Sequence, residues 1–403
     1  MIAIYTITSG LHDEAAVRSL SDEFLGSIFP DGGYDFKGAD FTGFGSATLN
    51  IIYVRTGGAE GIFEELLPKL LETGVSFFTL LTSGTSNSLA ASLEILSYLK
   101  QKGLKGEVLH GSPEYIRGRI SNLEKIAKAR ENLYGTTLGV IGQPSDWLIS
   151  SIYDEGTILQ KLGVLVKDIP MEDLLDEFDR QKDREVNPGP VPEVREALPG
   201  AIRIYNALKV LVETHDLGAL TLRCFDLLGT VHNTGCYALA KLNSEGIPSS
   251  CEGDVPALLS MMVAQALTGC TGFQANPARI DVQTGEMLFA HCTIPFSMVD
   301  EFNYDTHFES GIGVGIHGHF PEGPVTVFKL SGTLDRAFIA EGELFRNQYE
   351  QNLCRTQVWL RLSPADARYF LTDPIGNHHI IIPGYCGDLL REFVRGTLMV
   401  DYQ

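Results

Sequence analysis

Short apolar runs alternate along this chain with longer stretches in which apolar positions recur every three or four residues. Over the first third, the runs at residues 2–6, 50–55, 77–81, 107–109 and 137–141 are rich in β-branched or aromatic side chains and read as strands. Between them, residues 61–72 and 87–99 carry the helical period, and 114–132 predicts a long amphipathic helix. Strands alternating with helices imply βαβ units and a parallel sheet covered on both faces.

A second stretch repeats that rhythm. It predicts a strand at 163–169, an acidic amphipathic helix at 171–184, a stiff loop from Asn187 through Pro192, a helix at 194–214, a strand at 219–224 and a helix at 234–243. The run Gly246-Ile247-Pro248 then leads through Cys251-Glu252-Gly253-Asp254 into an apolar helix at 255–267. Beyond this the pattern changes. Residues 287–294, 325–331, 357–362 and 379–382 are β-prone, with Gly, Pro and Asp between them and little helix before 386–396. The expectation is an α/β protein of three domains. Two Rossmann-like α/β domains, 1–135 and 136–268, precede an antiparallel, β-barrel-like domain at 269–403. Glu252 falls in the second, His291 and His378 in the third.

Charge narrows the partners. With 31 Lys and Arg against 51 Asp and Glu, the formal charge is −20, which disfavours nucleic acid and anionic membranes, since both recruit basic patches. No segment approaches the roughly 20 apolar residues a spanning helix needs. The start, Met1-Ile2-Ala3-Ile4-Tyr5, has no basic flank and reads as a first strand rather than a signal peptide. The seven cysteines are odd in number and contain no Cys-x-x-Cys pair, which predicts reduced thiols in the cytoplasm rather than disulfides or a zinc ribbon.

The candidate chemistry gathers late in the chain. Asp254 precedes Val255-Pro256 and fits a helix N-cap. Glu252 follows a strand, out of reach of a capping-box position, so it stands as a ligand or general base against a structural ion pair. Asp226 also falls at a strand end, where open α/β sheets bind ligands. His291 lies in an apolar strand pattern that suits a hydrogen-bonded core residue as well as a ligand. In His378-His379 adjacent strand residues point to opposite faces, so only one can face a given cavity. His317 and His319 share a face if they lie on a strand, but the glycines around them suit a loop equally. The Thr82–Ser88 segment joins a strand to a helix and offers backbone N–H groups to a polar ligand. It lacks the phosphate-loop pattern, and no Gly-x-Gly-x-x-Gly follows the first strand, which leaves nucleotide binding without support.

These motifs resemble the L-fucose isomerase / L-arabinose isomerase family. Glu252-Gly253-Asp254, with its helix ending in Leu267-Thr268-Gly269, is similar to the family's first catalytic carboxylate and the helix behind it. Leu288-Phe289-Ala290-His291 is similar to the strand carrying a metal-site histidine, and Gly376-Asn377-His378-His379 to the late histidine motif. Order and arrangement match over residues 137–403; the N-terminal part shares only general α/β character. The resemblance implies a divalent ion, commonly manganese, and interconversion of an aldose and a ketose through an enediol. The sugar would be a pentose, a deoxyhexose or a modified sugar. Glu252 would be ligand and base, His378 a ligand, and His291 a ligand or a group behind one.

The resemblance also implies a homotrimer or homohexamer with a cleft shared between subunits. Loops 83–87 and 143–147 would reach a neighbour's site, which makes Ser86, Asn87 and Trp147 substrate contacts along with Asp254. One departure matters: the family's second carboxylate falls on Asn276. An amide oxygen can coordinate a hard cation but cannot accept a proton. Either Glu252 shuttles the proton alone, Asp226 substitutes, or the chemistry differs. The alternatives are a non-catalytic carbohydrate-binding relative and a metal-dependent sugar lyase or aldolase.

Overall fold

A computed structural model describes residues 1–75, 77–182 and 191–398. The segment 183–190, which holds the end of the predicted acidic helix and most of the proline-rich loop, lies outside the described residues. The chain divides into two compact units, residues 1–131 and 132–403.

The first unit follows the alternation: β1 (Ile2–Ile7), α1 (Glu14–Ile28), β2 (Tyr34–Gly38), β3 (Leu49–Val54), α2 (Glu60–Leu71), β4 (Phe77–Leu81), α3 (Ser88–Gln101), β5 (Lys105–Leu109) and α4 (Pro113–Leu133). The strands form one parallel sheet in the order β2-β1-β3-β4-β5. Both faces are buried because each strand's alternate side chains go to different cores. Tyr5, Ile52 and Phe78 meet Phe63 of α2 and Ile95 of α3 on one face. Ile4, Ile51 and Tyr53 meet Leu25 of α1 and Ile120 of α4 on the other.

The second unit begins with β6 (Thr137–Ile141), α5 (Glu155–Leu162), β7 (Leu165–Ile169), α6 (Met171–Arg180), α7 (Pro192–His215), β8 (Leu217–Leu222), α8 (Asp226–Thr230), α9 (Cys236–Ser244), β9 (Ser249–Cys251) and α10 (Val255–Thr268). Its parallel sheet runs β7-β6-β8-β9. Next come β10 (Phe273–Asp281), β11 (Glu286–His291), β12 (Glu301–Asp305), β13 (Gly315–His319), β14 (Gly323–Leu330), β15 (Ala337–Gln348), β16 (Thr356–Arg361), α11 (Pro364–Thr372), β17 (His379–Pro383) and α12 (Gly387–Phe393). Six of these strands close an antiparallel barrel, β10-β11-β16-β15-β14-β17, and β12 and β13 make a separate ribbon, so His317 and His319 are on a strand. The expected class, parallel α/β sheets followed by an antiparallel barrel, is the class observed. No helix among the described residues is long and apolar enough to cross a membrane.

Two features join sheet to barrel. The helix α10 is apolar around nearly its whole circumference, as a helix covered on all sides must be. It packs against β8 and β9 on the sheet side and β14 and β17 on the barrel side. Truncating one of its leucines, such as Leu259, to alanine would leave a cavity costing about 2–5 kcal/mol. The second feature is Gln274 of β10, whose Oε1 accepts the backbone N–H of Cys251 at 2.8 Å. A barrel side chain thereby satisfies the free edge of β9, immediately before Glu252.

Candidate active site

The turn from β9 into α10 is sharply bent. Glu252 and Gly253 both have left-handed backbone angles, φ +65° and +71°. Such a conformation is uncommon for a glutamate and is found where a side chain must be aimed. Gly253 is required because a Cβ there would lie 2.7 Å from Cα of Pro144 and 2.8 Å from the Gln143 carbonyl oxygen. The turn is held from the other side by Ser145, whose N–H donates to the Glu252 carbonyl at 3.0 Å. Asp254 ends the turn as the N-cap of α10, accepting from Ala257 N–H at 2.8 Å.

That bend delivers the Glu252 carboxylate to two imidazoles. Its Oε1 lies 3.5 Å from Nε2 of His378 and 4.0 Å from Nε2 of His291, and the two rings meet edge to face with centroids 5.3 Å apart. Its Oε2 accepts a hydrogen bond from the Trp147 indole at 2.6 Å. Each histidine is turned by a partner on its other nitrogen. His378 donates from Nδ1 to Asp254 Oδ2 at 2.8 Å; an ionised carboxylate only accepts, so Nδ1 carries the proton. His291 uses Nδ1 on the Thr293 hydroxyl at 2.9 Å. Both rings therefore present Nε2 toward Glu252, as metal-binding histidines do when a neighbour fixes the far nitrogen.

The electrostatics follow from burial and neighbours. Burial pushes the Glu252 carboxyl up, but His378, His291 and the Trp147 N–H more than offset it and hold it at about 2. Burial works against a charge on His378, yet Asp254 and Glu252 lift it to about 9. His291 is depressed to about 3 by burial and then by His378, so its ring is neutral. For Asp254 burial opposes ionisation, and Lys329 and His378 drive it well below the usual carboxylate range.

The residues fit a divalent ion. One ligand atom each from Glu252, His291 and His378 can be chosen so that all three lie within 4.8 Å of one another. Two further observations agree: His378 Nε2 and Asn276 Oδ1 are both buried and lack a hydrogen-bond partner. Asn276 sits on β10 between β11, which ends at His291, and β17, which begins one residue after His378; it lies opposite Ala290 of β11 and directly after Ala275, which pairs with His379 of β17. Mixed imidazole and oxygen donors suit first-row divalent cations.

The remaining sequence candidates have other surroundings. The sequence offers Asp226 as a substitute carboxylate; the structure engages it with Arg223 Nε at 3.1 Å and leaves it outside the three-ligand group. Asp254, expected at the substrate, is fully buried, with its oxygens accepting from Ala257 N–H at the start of α10 and from His378. Trp147 donates its indole N–H to Glu252 of the same chain, and Arg223 holds its loop through Pro144 O at 2.6 Å and Asp146 Oδ2 at 3.0 Å. Ser86 and Asn87 are exposed in the first unit, in left-handed conformations at the entry to α3. His379 points away from His378 into an aromatic nest of Phe338, Tyr369 and Phe370, and its Nε2 bonds to the Tyr369 hydroxyl at 3.1 Å.

Three residues near this site carry no pattern in the sequence. Lys329 of β14 is buried beside Asp254. His307 packs edge-on against Phe225, which packs against Trp147, and its ring is depressed by burial. The Glu309 carboxyl is raised by partial burial and by the charge of Glu252. All seven cysteines are free thiols. Cys251, directly before Glu252, has its sulfur 3.0 Å from that of Cys224.

Searched against protein-family models, the chain matches none. It is similar to proteins named sulfoquinovose isomerase. That of Clostridium sp. (strain MSTE9) is 33% identical over 129 residues, 32% of this chain and 27% of that protein. That of Alkalicoccus urumqiensis is 23% identical over 280 residues, 64% of this chain and 62% of that protein. The Priestia aryabhattai protein is 22% identical over 271 residues, 63% and 60% of the two chains. The chain thus spans less than two thirds of the length of these relatives.

Proposed function

We propose that this protein is a metal-dependent aldose–ketose isomerase. The observation that carries the reading is the convergence of Glu252, His291 and His378 on one point, supported by the similarity to proteins named sulfoquinovose isomerase. Glu252, His291 and His378 would hold a divalent ion, manganese by family resemblance, with Asn276 as a further oxygen donor. Such an ion supplies Lewis acidity at the sugar oxygens beside the migrating hydrogen.

The chain's own groups do the rest. The Glu252 carboxylate takes the proton from C2 of the aldose. The C2–H electron pair becomes the C1=C2 bond of the enediol while the C1=O pair moves to O1, which takes up the proton of the O2 hydroxyl. Glu252 then returns its proton to C1 as the O2 pair closes the C2=O2 bond, which leaves the C2 ketone and the C1 hydroxyl. Trp147 orients Oε2 of Glu252, and Asp254 holds the His378 ring. Asn276 cannot carry a proton, which leaves Glu252 as the group that moves it between the two carbons. The substrate is a sugar, with sulfoquinovose the first candidate and pentoses, deoxyhexoses and other modified sugars after it. Assembly into a homotrimer or homohexamer would bring Ser86 and Asn87 to a neighbour's cleft; light scattering tests it, and a monomer at micromolar concentration counts against it.

The experiment is turnover of sulfoquinovose and a panel of aldoses by purified protein, with Mn²⁺ and after chelation, followed by NMR of the sugars. Ketose formed only with the ion supports the reading. Sugar binding without turnover points to a carbohydrate-binding protein, and shorter products point to a lyase or aldolase.

A further inference from the structure

Lys329 is an anomaly in the barrel. It lies in the middle of an apolar strand, Val327-Phe328-Lys329-Leu330, and is 1% exposed. Its Nζ stands 3.6 Å from Asp254 Oδ1 and makes no hydrogen bond among the described residues. Asp254 is itself fully buried, with Oδ1 on Ala257 N–H and Oδ2 on His378 Nδ1. A buried ion pair of this kind has no advantage in stability over apolar residues of the same volume, because desolvating both charges offsets their attraction. Stability therefore does not account for its presence.

Position does. The ammonium, the carboxylate and the imidazole form a line, Lys329–Asp254–His378, ending at the partnerless His378 Nε2 that faces Glu252. We propose that Lys329 is a positioning residue: it holds the Asp254 carboxylate in the core against His378, and so fixes the direction in which His378 presents Nε2. Without the cation the buried carboxylate keeps only the Ala257 N–H and the His378 ring as partners, and it turns toward water or draws water in. The His378 ring then loses its fixed partner. Lys329 touches neither substrate nor ion; it acts through Asp254. The inference rests on the ion-binding reading above.

The test is Mn²⁺ binding without sugar, read from the EPR signal of free Mn²⁺, for the wild type, Asp254→Asn, Lys329→Met and the double variant. Thermal unfolding is followed in parallel. The line of contacts predicts that each single variant weakens Mn²⁺ binding about 10- to 100-fold, as loss of a ligand's outer partner does. The double variant binds within about twofold of Asp254→Asn, since two residues acting in series do not add. Its melting temperature recovers relative to Lys329→Met, because the neutral pair leaves no stranded charge. A folded Lys329→Met with wild-type Mn²⁺ affinity overturns the proposal and leaves Lys329 merely structural. If Lys329→Met does not fold, Lys329→Gln is read in its place by the same criterion: Mn²⁺ binding weakened about tenfold or more supports the proposal, and wild-type affinity overturns it. A wild type that binds no Mn²⁺ sinks the ion-binding reading itself, and is distinguishable because it involves no variant.

Discussion

Asp254 and His378, 124 positions apart in the chain, are joined in the core by a 2.8 Å hydrogen bond between groups that are both fully buried. One end of that bond caps the helix behind Glu252, and the other lies directly before the last barrel strand. The contact locks the carboxylate turn of the α/β sheet to the imidazole of the barrel. The site depends on both layers at once.

Trp147→Phe tests how Glu252 is aimed. The substitution removes the 2.6 Å indole N–H bond to Oε2 and keeps the ring contact with Phe225. The expected result is a fall in kcat/KM of about tenfold, near the low end for a hydrogen bond to a charged group because the indole is half-exposed. Thermal stability stays near that of the wild type. A tenfold loss of stability with unchanged kcat/KM would assign Trp147 a packing role instead.

Gly253→Ala tests the turn. The added Cβ meets backbone atoms of Gln143 and Pro144 that cannot swing aside, at a left-handed φ that alanine resists. Destabilisation of about 1–3 kcal/mol is expected from chemical denaturation, with loss of turnover as Glu252 shifts.

Much of this was legible in the chain, and the reasons are local. Glu252-Gly253-Asp254-Val255-Pro256 combines a turn glycine, a cap and a first-turn proline, so the strand-to-helix bend shows in the residues alone. The doublet His378-His379 separates by strand parity: one ring faces Glu252, the other the aromatic nest. What escaped has physical causes too. Strand β15 is interrupted by Glu341-Gly342-Glu343, which reads as a loop; Glu341 is in fact satisfied by the Gly387 N–H. Lys329 fits the solvent side of an alternating strand until its partner Asp254 is located in space. Helix α11 was findable: Ser363 caps it by accepting from Asp366 N–H, and the Ser-Pro-Ala-Asp spelling announces that start. Nothing in the spacing of Glu309 or His307 marks them, because only the fold brings their loop near Glu252.

Asn276→Asp tests the amide. Its Oδ1 is buried without a hydrogen-bond partner, and a carboxylate there adds a negative charge on the strand between β11 and β17. The variant should be less stable than the wild type without an ion and gain more from Mn²⁺, since stabilisation grows as RT ln(1 + [ion]/Kd). Melting curves across a Mn²⁺ series measure both effects. An equal or smaller Mn²⁺ shift in the variant would exclude Asn276 from the ligand set.

The central claim is that Glu252, His291 and His378 together hold one divalent ion. Anomalous diffraction at the manganese edge, from crystals grown or soaked with MnCl₂, tests it most directly. The account predicts a single strong peak between the three side chains, with ligand distances of about 2.0–2.3 Å, lost in Glu252→Gln. A map with no peak there, or with manganese bound elsewhere while the Glu252–His378 contact persists, would contradict it.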